Sequence, residues 1–401
     1  METPIVKFLK TQKKPRFHMP GHAGNYLPLL QKDLAKFDIT EIAGADELFK
    51  ADGIIAKAEE NTASLYGCET TCFSAGGSTA CIQAMLAVVA KRGGKIIATH
   101  GAHAAFINAC IWLELMPVFT DDIKEALRQH PDAIAIYVTS PDYYGRSFEI
   151  RKFGDIPLLV DSAHGAHLAF LTPNRHPMQL GATMCCDSAH KTLPVLTGGA
   201  FLHANGVDKK KIKKAMSMFA SSSPSYLILA SLDMCNRYLA SKAKKDFAKL
   251  YKTQEMLKKF AKDLGLSVLE DTDPTKLLIY GSAAELDVAA EYQNEDFILF
   301  LLSPQNTNAD INKLKKAISK IKAKPPTEHI ATRSEQKMLP RDAFFAKCEQ
   351  VKTEDSAGRI STESLFTCPP GIPIVLAGEV ITPDIIKNLK ISSISMINVV
   401  I

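Results

Sequence analysis

The lysine at position 191 lies in a segment whose residue types could perform covalent chemistry. The segment reads Asp187-Ser188-Ala189-His190-Lys191-Thr192-Leu193-Pro194, and the Gly-rich turn Thr197-Gly198-Gly199-Ala200 follows it. Asp161 stands earlier in the chain, at the end of the apolar run Pro157-Leu158-Leu159-Val160. A lysine amine becomes nucleophilic when burial or a neighbouring cation removes its proton. Lys191 is therefore a candidate for imine formation, although a lysine in a loop can equally be a plain exposed side chain.

A lysine that forms an imine and an acid that pairs with a ring nitrogen are the two protein groups that pyridoxal phosphate (PLP) requires. A third sequence feature, a Gly-Gly-Ser-Thr segment, could bind the phosphate group of PLP. Gly76-Gly77-Ser78-Thr79 follows a strand-like run, Thr70 to Ala75, and precedes an apolar helix predicted over 80–90. Free amides, the helix dipole and hydroxyl groups make such a helix start an anion site. The alternative is an ordinary Ser/Thr helix cap, and no lysine follows the glycines as a P-loop requires.

Short apolar strands alternate with helices through the middle of the chain. Strands are predicted at 70–75, 95–99, 117–119, 133–139, 157–160 and 199–203, with helices at 56–66, 80–90 and 123–130. This alternation indicates a parallel sheet covered on both faces, and ligands bind such sheets at the carboxyl ends of the strands. Ser78, His103, Ser140 and Asp161 each follow a predicted strand, so we expect them at one edge of the sheet.

Length and composition set the frame. A chain of 401 residues suits a large and a smaller domain. We predict an N-terminal arm over 1–55, a PLP-binding large domain over 56–265 and a small C-terminal domain over 266–401. A net charge of +5 predicts no nucleic-acid partner, and no apolar run is long enough to cross a bilayer. The nine cysteines lack zinc-site spacing and no signal peptide is visible, which predicts no metal and a cytoplasmic protein with reduced thiols.

The motifs together resemble the PLP-dependent ornithine/lysine/arginine decarboxylase family of the aspartate-aminotransferase fold. The matching segments occur in the family's order: His18-Met19-Pro20-Gly21-His22, Asp38 to Asp46, Gly77-Ser78-Thr79, Val138-Thr139-Ser140-Pro141, Asp161 to Leu168, Ser188 to Pro194, Ser223-Pro224-Ser225-Tyr226 with Ala230-Ser231-Leu232-Asp233, and Pro369 to Pro373 with Gly378-Glu379. The resemblance implies an α/β, PLP-dependent transferase-like fold (fold type I). It implies a large domain with a mostly parallel seven-stranded sheet and a small α+β C-terminal domain, in a short form that lacks the family's N-terminal wing domain.

The resemblance also implies roles for particular residues. Lys191 would hold PLP covalently, Asp161 would pair with the pyridine nitrogen, and His103 would stack on the ring. The other cofactor contacts would be Ala163 under the ring, His164 close by, and a phosphate site of Gly77, Ser78, Thr79 and Ser188, with Ser222 from a partner subunit. His190 would protonate the carbon that loses CO2. Asp46 and Glu363 would read the distal cation of the substrate.

The implied reaction is decarboxylation of arginine, lysine or ornithine to the corresponding polyamine-pathway amine and CO2, in a homodimer with its active site between subunits. The alternatives are another PLP-dependent reaction on the same fold, an aminotransferase or a lyase, and a catalytically weak regulatory relative. Ala104-Ala105 stands where the family commonly has Lys-Ser, and Asp142 stands where it commonly has Thr. These departures concern the choice of substrate and leave the cofactor groups in place.

Overall fold

The structure, a computed structural model, describes residues 14–23, 25, 34–326, 334–367 and 372–401. The Pro-rich sequence Cys368 to Pro373 predicts a rigid turn; its residues 368–371, like the start of the predicted arm, lie outside the described residues. The strands are β1 (Arg16–Phe17), β2 (Thr70–Ser74), β3 (Lys95–Thr99), β4 (Met116–Thr120), β5 (Ala135–Thr139), β6 (Leu158–Asp161), β7 (Met184–Asp187), β8 (Ala200–Ala204), β9 (Ser267–Val268), β10 (Lys276–Ser282), β11 (Ala289–Ala290), β12 (Tyr292–Gln293), β13 (Phe297–Leu301), β14 (Lys322–Ala323), β15 (Cys348–Lys352), β16 (Leu365–Thr367), β17 (Ile372–Val375) and β18 (Met396–Val400).

The helices are α1 (Leu34–Phe37), α2 (Ile54–Tyr66), α3 (Gly77–Val89), α4 (Ala104–Leu113), α5 (Ile123–Gln129), α6 (Pro177–Leu180), α7 (Ala189–Thr192), α8 (Lys209–Ser217), α9 (Tyr226–Ser241), α10 (Ala243–Asp263), α11 (Asn308–Ile318), α12 (Pro340–Phe344) and α13 (Pro383–Ile391). Short 3-10 turns occur at Leu168–Phe170 and Thr353–Asp355. In the part of the chain that the structure describes, none of these helices has the length and apolar character that a bilayer crossing demands.

Seven strands form the large sheet, in the order β2-β8-β7-β6-β5-β3-β4. The five strands from β7 to β4 run parallel, whereas β8 is antiparallel to both of its neighbours. The predicted mostly parallel seven-stranded sheet is therefore confirmed. The central parallel strands β5, β6 and β7 are almost wholly buried because helices cover both faces, whereas the edge strand β4 is only partly buried.

Most large-sheet elements agree with the sequence pattern, and two do not. The pattern contained no strand at β7, a central and fully buried strand whose sequence is MCCD. That sequence has no β-branched or aromatic residue to signal a strand. The sequence pattern also predicts an apolar helix over 227–232 and a long charged helix over 237–264, whereas the structure has α9 and α10, which break at Lys242. Lys242 has φ −123°, outside the helical region, and no Gly or Pro marks the break.

A second, antiparallel sheet lies later in the chain and contains β12, β13, β10 and β14, with β9 paired to β10. The N-terminal strand β1 pairs in parallel with β11, Arg16 opposite Ala289 and Phe17 opposite Ala290. The segment after β1 thus runs from this second sheet toward the large one. Gly21 and Ser303, which are more than 250 positions apart in the chain, thereby come together beside α7.

Candidate active site

Lys191 lies on α7, a single helical turn directly after β7. Ser188 begins the turn, and its carbonyl accepts the amide N–H of Lys191 at 3.0 Å. The His190 N–H donates to the carbonyl of Gly199 at 3.1 Å, which ties the turn to the entry of β8. The turn therefore stands at the carboxyl end of the parallel strands, where the sequence pattern predicted ligand chemistry.

The segment around Gly21 packs against the back of this turn. The Gly21 N–H donates to the His190 carbonyl at 2.8 Å, and Ser303 Oγ donates to the Gly21 carbonyl. A Cβ atom added at Gly21 would lie 2.7 Å from the carbonyl carbon of Thr192 and 2.9 Å from the nitrogen of Leu193. Only glycine permits this approach, so the Pro-Gly turn of the sequence is a packing contact with the lysine turn.

Asp161 ends β6 with its carboxylate buried, at 2% exposure. The Tyr137 hydroxyl donates to Oδ2 at 3.0 Å, the Ala163 N–H donates to Oδ1 at 3.1 Å, and the Cys186 thiol lies 3.7 Å from Oδ1. Among the described residues, no cationic side chain comes within ion-pair distance of this carboxylate. A buried carboxylate without a cation is costly, and a protonated ring nitrogen is a partner that would offset that cost.

The start of α3 faces the same site. Ser188 Oγ and Ser78 Oγ are 2.7 Å apart, so the hydroxyls of two separate elements meet above the first turn of the helix. Gly77 has φ +69°, and a Cβ added there would meet no atom within 4 Å, which shows open space in front of the turn. Amides of the first helical turn, including that of Thr79, have no intrahelical acceptor. The arrangement is a cradle for an anion, here called the hydroxyl cradle: Ser78, Thr79 and Ser188.

Ser188→Ala is expected to weaken PLP binding roughly tenfold, because a hydrogen bond to a charged phosphate contributes about 1.5 kcal/mol. The measurement is a titration of the cofactor-free protein with PLP. Ser217→Ala, an exposed serine at the end of α8, is the matched control and should leave the affinity unchanged. An unchanged affinity in Ser188→Ala would remove Ser188 from the phosphate site.

His103 and Ala163 both lie near Asp161, since Ala163 donates a hydrogen bond to it and His103 is within range of the charges of Asp161 and Lys191. His103 is the N-cap of α4, its Nδ1 accepting the Ala105 N–H at 3.1 Å, and its ring is exposed. Ala163 is buried in the turn after β6 and bonds to Asp161. An exposed imidazole and a small buried side chain are the residue types that suit the two faces of a planar ring.

His164 lies directly beside the catalytic candidate, because its Nε2 is 3.1 Å from Lys191 Nζ. Burial lowers the pKa of Lys191, and the charge of Lys276 lowers it further, while Asp161 opposes both. Burial also lowers the pKa of His164 well below its ordinary value, with Lys191 and Lys276 adding to the effect. A lysine with a lowered pKa carries the free electron pair that attack on an aldehyde needs.

His190 points its Nδ1 at the Gly199 carbonyl, 3.0 Å away. Burial lowers the pKa of His190, the hydrogen bond to Gly199 raises it, and Lys191 lowers it again. Nδ1 therefore donates to Gly199 and Nε2 is left for proton exchange.

The other predicted residues lie apart from these contacts. The Asp46 carboxylate accepts amide N–H groups of Glu47, Asp52, Gly53, Ile55 and Ala56, and so caps α2. Glu363 accepts the backbone and side-chain N–H groups of Asn398, at 2.8 and 3.1 Å. Ser222 is exposed in the loop before α9. The structure therefore does not bring these three to Lys191 within one chain, and their roles stay predictions.

A buried cluster under α7 comprises His176, Asp187 and His203. The Nε2 atoms of the two histidines lie 2.9 and 3.2 Å from the same oxygen, Asp187 Oδ2. Burial by itself would raise the pKa of Asp187, but the two histidines hold it well below its usual range. Burial by itself would lower the pKa of His203, but hydrogen bonds and charge interactions with Asp187 and Cys68 raise it to about 9. The cluster anchors the end of β7, from which the lysine turn departs.

Sequence patterns missed several residues near the site. Tyr143 donates to Glu291 Oε1 at 3.1 Å and packs edge-on against His164, with ring centroids 5.6 Å apart. Lys276 Nζ lies 3.3 Å from Nδ1 of the same histidine. Lys276 lies on β10 of the second sheet and Glu291 lies between β11 and β12, and no local spacing connects either of them with Lys191. Contact with His164 identifies Tyr143 and Lys276, and the hydrogen bond from Tyr143 identifies Glu291.

The described residues fit PLP group by group. The hydroxyl cradle faces a helix start, which suits a dianionic phosphate. The buried Asp161 carboxylate suits a cationic ring nitrogen, and the Lys191 amine suits an aldehyde carbon. These three groups converge at one end of the parallel strands, on separate elements that the fold brings together.

Comparison with known proteins supports the same interpretation. The sequence profile "Orn/Lys/Arg decarboxylase, major domain" matches residues 3–122 and 116–279, and the profile "Orn/Lys/Arg decarboxylase, C-terminal domain" matches residues 324–395. An arginine decarboxylase of Halalkalibacterium halodurans is 31% identical over 439 residues, 94% of this chain and 89% of the relative. An arginine decarboxylase of Bacillus subtilis is 29% identical over 460 residues, 97% of this chain and 94% of the relative.

Solved structures share the fold. The constitutive lysine decarboxylase of E. coli superposes with a TM-score of 0.76 at 15% identity, covering 100% of this chain and 82% of that one. The Francisella novicida lysine decarboxylase gives a TM-score of 0.74 at 14% identity, covering 88% of this chain and 73% of that one. At these identities the likeness concerns the fold, and it confirms the predicted fold class.

Proposed function

Because the chain belongs to the Orn/Lys/Arg decarboxylase family, we propose that it removes the α-carboxylate of arginine, lysine or ornithine as CO2 and forms the corresponding amine. Arginine is the first candidate, since the two relatives described above, which match 94% and 97% of this chain, are named arginine decarboxylases. The amine would then supply polyamine synthesis.

The observation that carries the proposal is the convergence of an amine, an acid and an anion cradle. Lys191, Asp161 and the hydroxyl cradle come from α7, β6 and the start of α3, and all three meet at the carboxyl ends of the parallel strands. An exposed lysine in a loop would have none of these neighbours.

PLP, when bound, supplies the conjugated ring that takes up the electron pair left by the departing CO2. Asp161 would keep a proton on the ring nitrogen, since a carboxylate next to a base favours its charged form. The hydroxyl cradle would hold the phosphate and His103 would cover the ring. Together they would orient the Cα–carboxylate bond perpendicular to the ring, an effect of position rather than of chemical reactivity.

Decarboxylation consumes one proton at Cα, because the C–C bond electrons must end in a C–H bond. Lys191 and His190 are the described groups on α7 that can carry that proton. His190 Nε2 is free for exchange while Nδ1 is held by Gly199. We propose that His190 delivers the proton and that Lys191 afterwards displaces the amine product.

A homodimer is part of the proposal. His103, Thr79 and Ser222 are exposed in a single chain, although each is assigned to the cofactor site. A second copy that covers this mouth would exclude water and add Ser222 to the phosphate site. Asp46 and Glu363, if they read the distal cation, would do so across the same interface.

The direct test supplies the purified protein and PLP with arginine, lysine and ornithine in separate reactions. We expect CO2 together with agmatine, cadaverine or putrescine from one substrate in clear preference, with arginine the best of the three. Measurement of both products matters, because equal amounts of CO2 and amine define a decarboxylation.

Two results would contradict the proposal. If PLP binds and none of the three amino acids yields CO2, the substrate lies outside this set. If a keto acid forms without CO2, the protein is an aminotransferase.

A further inference from the structure

A second buried lysine lies behind the first. Lys276 begins β10 and is fully buried, with 0% exposure. Its Nζ lies 3.3 Å from His164 Nδ1 and 3.8 Å from Asp273 Oδ2. The other ring nitrogen of His164, Nε2, is 3.1 Å from Lys191 Nζ. One imidazole therefore stands between two lysine amines.

The fold makes room for this lysine. Gly145 has φ +93°, and a Cβ added there would lie 2.6 Å from Lys276 Cγ. Any other residue at position 145 would be strained in its backbone and would press on the Lys276 stem. The loop after β5 thus packs closely against the side chain of Lys276 at the start of β10.

Counting protons shows that two charged amines cannot both donate a hydrogen bond to this imidazole. A neutral imidazole has one N–H and one lone pair, whereas an ammonium group only donates. Two ammonium groups would need lone pairs on both ring nitrogens, which a neutral ring does not have. A charged ring is opposed by burial and by the two neighbouring lysines, which lower the pKa of His164. Where both amines are hydrogen-bonded to the ring, one lysine is therefore neutral and accepts the ring N–H.

Asp273 decides which lysine is charged. Burial alone would raise the pKa of Asp273, but Lys276 and His167 hold it well below its usual range. The resulting carboxylate faces Lys276, whose ammonium then donates to His164 Nδ1. The ring hydrogen is left on Nε2, where it points at Lys191.

We propose that Lys276, charged and held by Asp273, fixes the Nε2–H tautomer of His164 and so keeps Lys191 as a neutral amine, ready to attack an aldehyde. The inference rests on the proposed role of Lys191. Lys276 is a positioning residue that acts through His164. The other groups that act on the charge of Lys191 are Asp161 at the end of β6, Cys186 on β7, Glu291 between β11 and β12, His103 at the start of α4 and His190 on α7.

The test measures the protonation of Lys191 without cofactor or substrate. Full-length protein freed of PLP is labelled briefly with acetic anhydride over a range of pH, and mass spectrometry follows acetylation of Lys191. In Lys276→Met the positive charge is lost and His164 can accept from a Lys191 ammonium. We expect the pH of half-labelling at Lys191 to rise by at least about one unit.

Lys213→Met is the matched control. Lys213 is also buried, at 3% exposure, and pairs with buried Glu59 away from the site. Loss of that pair should lower the melting temperature and leave the Lys191 labelling curve in place. If Lys276→Met behaves like Lys213→Met, with lower stability and an unshifted curve, Lys276 is only structural and the inference fails.

A measurement on the unmodified protein covers the case in which Lys276→Met does not fold. In ¹⁵N-histidine-labelled protein, nitrogen chemical shifts distinguish the two tautomers, and His164→Gln identifies the His164 signals. A proton on Nε2 supports the inference, and a proton on Nδ1 overturns it. Because neither experiment uses PLP or an amino acid, their outcome is independent of whether the protein decarboxylates arginine.

Discussion

Replacement of Lys191 by alanine is expected to lower CO2 release at least about 10³-fold, even with PLP at saturating concentration. The side chain has two tasks in the proposed reaction, since it binds the cofactor covalently and later displaces the product. Proton transfer by a positioned group alone contributes about 10²–10⁴-fold. The measurement is the rate of CO2 and amine formation from arginine, with covalent attachment followed by mass spectrometry after borohydride reduction.

Lys259→Ala, an exposed lysine on α10, is the control for general loss of positive charge and should keep full activity. Melting temperatures of both variants separate misfolding from loss of chemistry. If Lys191→Ala folds and retains activity within tenfold of the unmodified protein, the nucleophile lies elsewhere. If reduced PLP is recovered on another lysine, that lysine is the attachment site.

Much of the large sheet could be predicted because most of its strands and helix ends are marked by local sequence patterns. Lys95–Thr99 is a strand with the predicted bounds, and α2 ends at Gly67, in the left-handed conformation at φ 65° that glycine favours. β7 was missed because burial on both faces by the surrounding helices forms that strand, rather than any local preference of Met184 to Asp187. Tertiary context there overrides local propensity.

The site likewise contains residues that the sequence predicts and residues that only tertiary packing brings together. Asp161, Ser78 and Lys191 follow strands or lie in turns, so the alternation of elements predicts their shared edge. Lys276 and Asp273 enter from a sheet whose position relative to β7 depends on the path of the whole chain. Their sequence signal, Asp273-Pro274-Thr275-Lys276, is a short polar turn that could be exposed anywhere. Packing alone turns it into a buried ion pair.

Charge balance explains why two acids and two lysines can share one buried region. Asp273 Oδ2 is 3.8 Å from Lys276 Nζ, so each of these two groups has an opposite charge beside it without a ligand. Asp161 and Lys191 are left with hydrogen bonds and one histidine contact. The different surroundings of the two aspartates and of the two lysines thus give residues of the same type different roles, as is common for titratable groups in active sites.

Asp161→Asn is expected to lower kcat by about 10²–10⁴-fold. Removing one member of a buried charge pair costs about 3–5 kcal/mol, and each 1.4 kcal/mol is a factor of ten in rate. The amide keeps the shape of the carboxylate but cannot hold a proton on the ring nitrogen. The measurement is kcat for arginine at saturating PLP, compared with Tyr137→Phe.

Tyr137→Phe removes only the hydrogen bond to Asp161 Oδ2, which contributes about 1 kcal/mol, so its kcat should fall less than about tenfold.

The stability of Asp161→Asn separates a functional role of Asp161 from a structural one. Without PLP, the asparagine variant should be at least as stable as the unmodified protein, because a buried carboxylate without a cation is costly. With PLP, the variant should gain less in melting temperature, since the stabilisation by a ligand follows its affinity. A variant that is strongly destabilised without PLP would instead make Asp161 a structural anchor of β6, through its bonds to Tyr137 and Ala163.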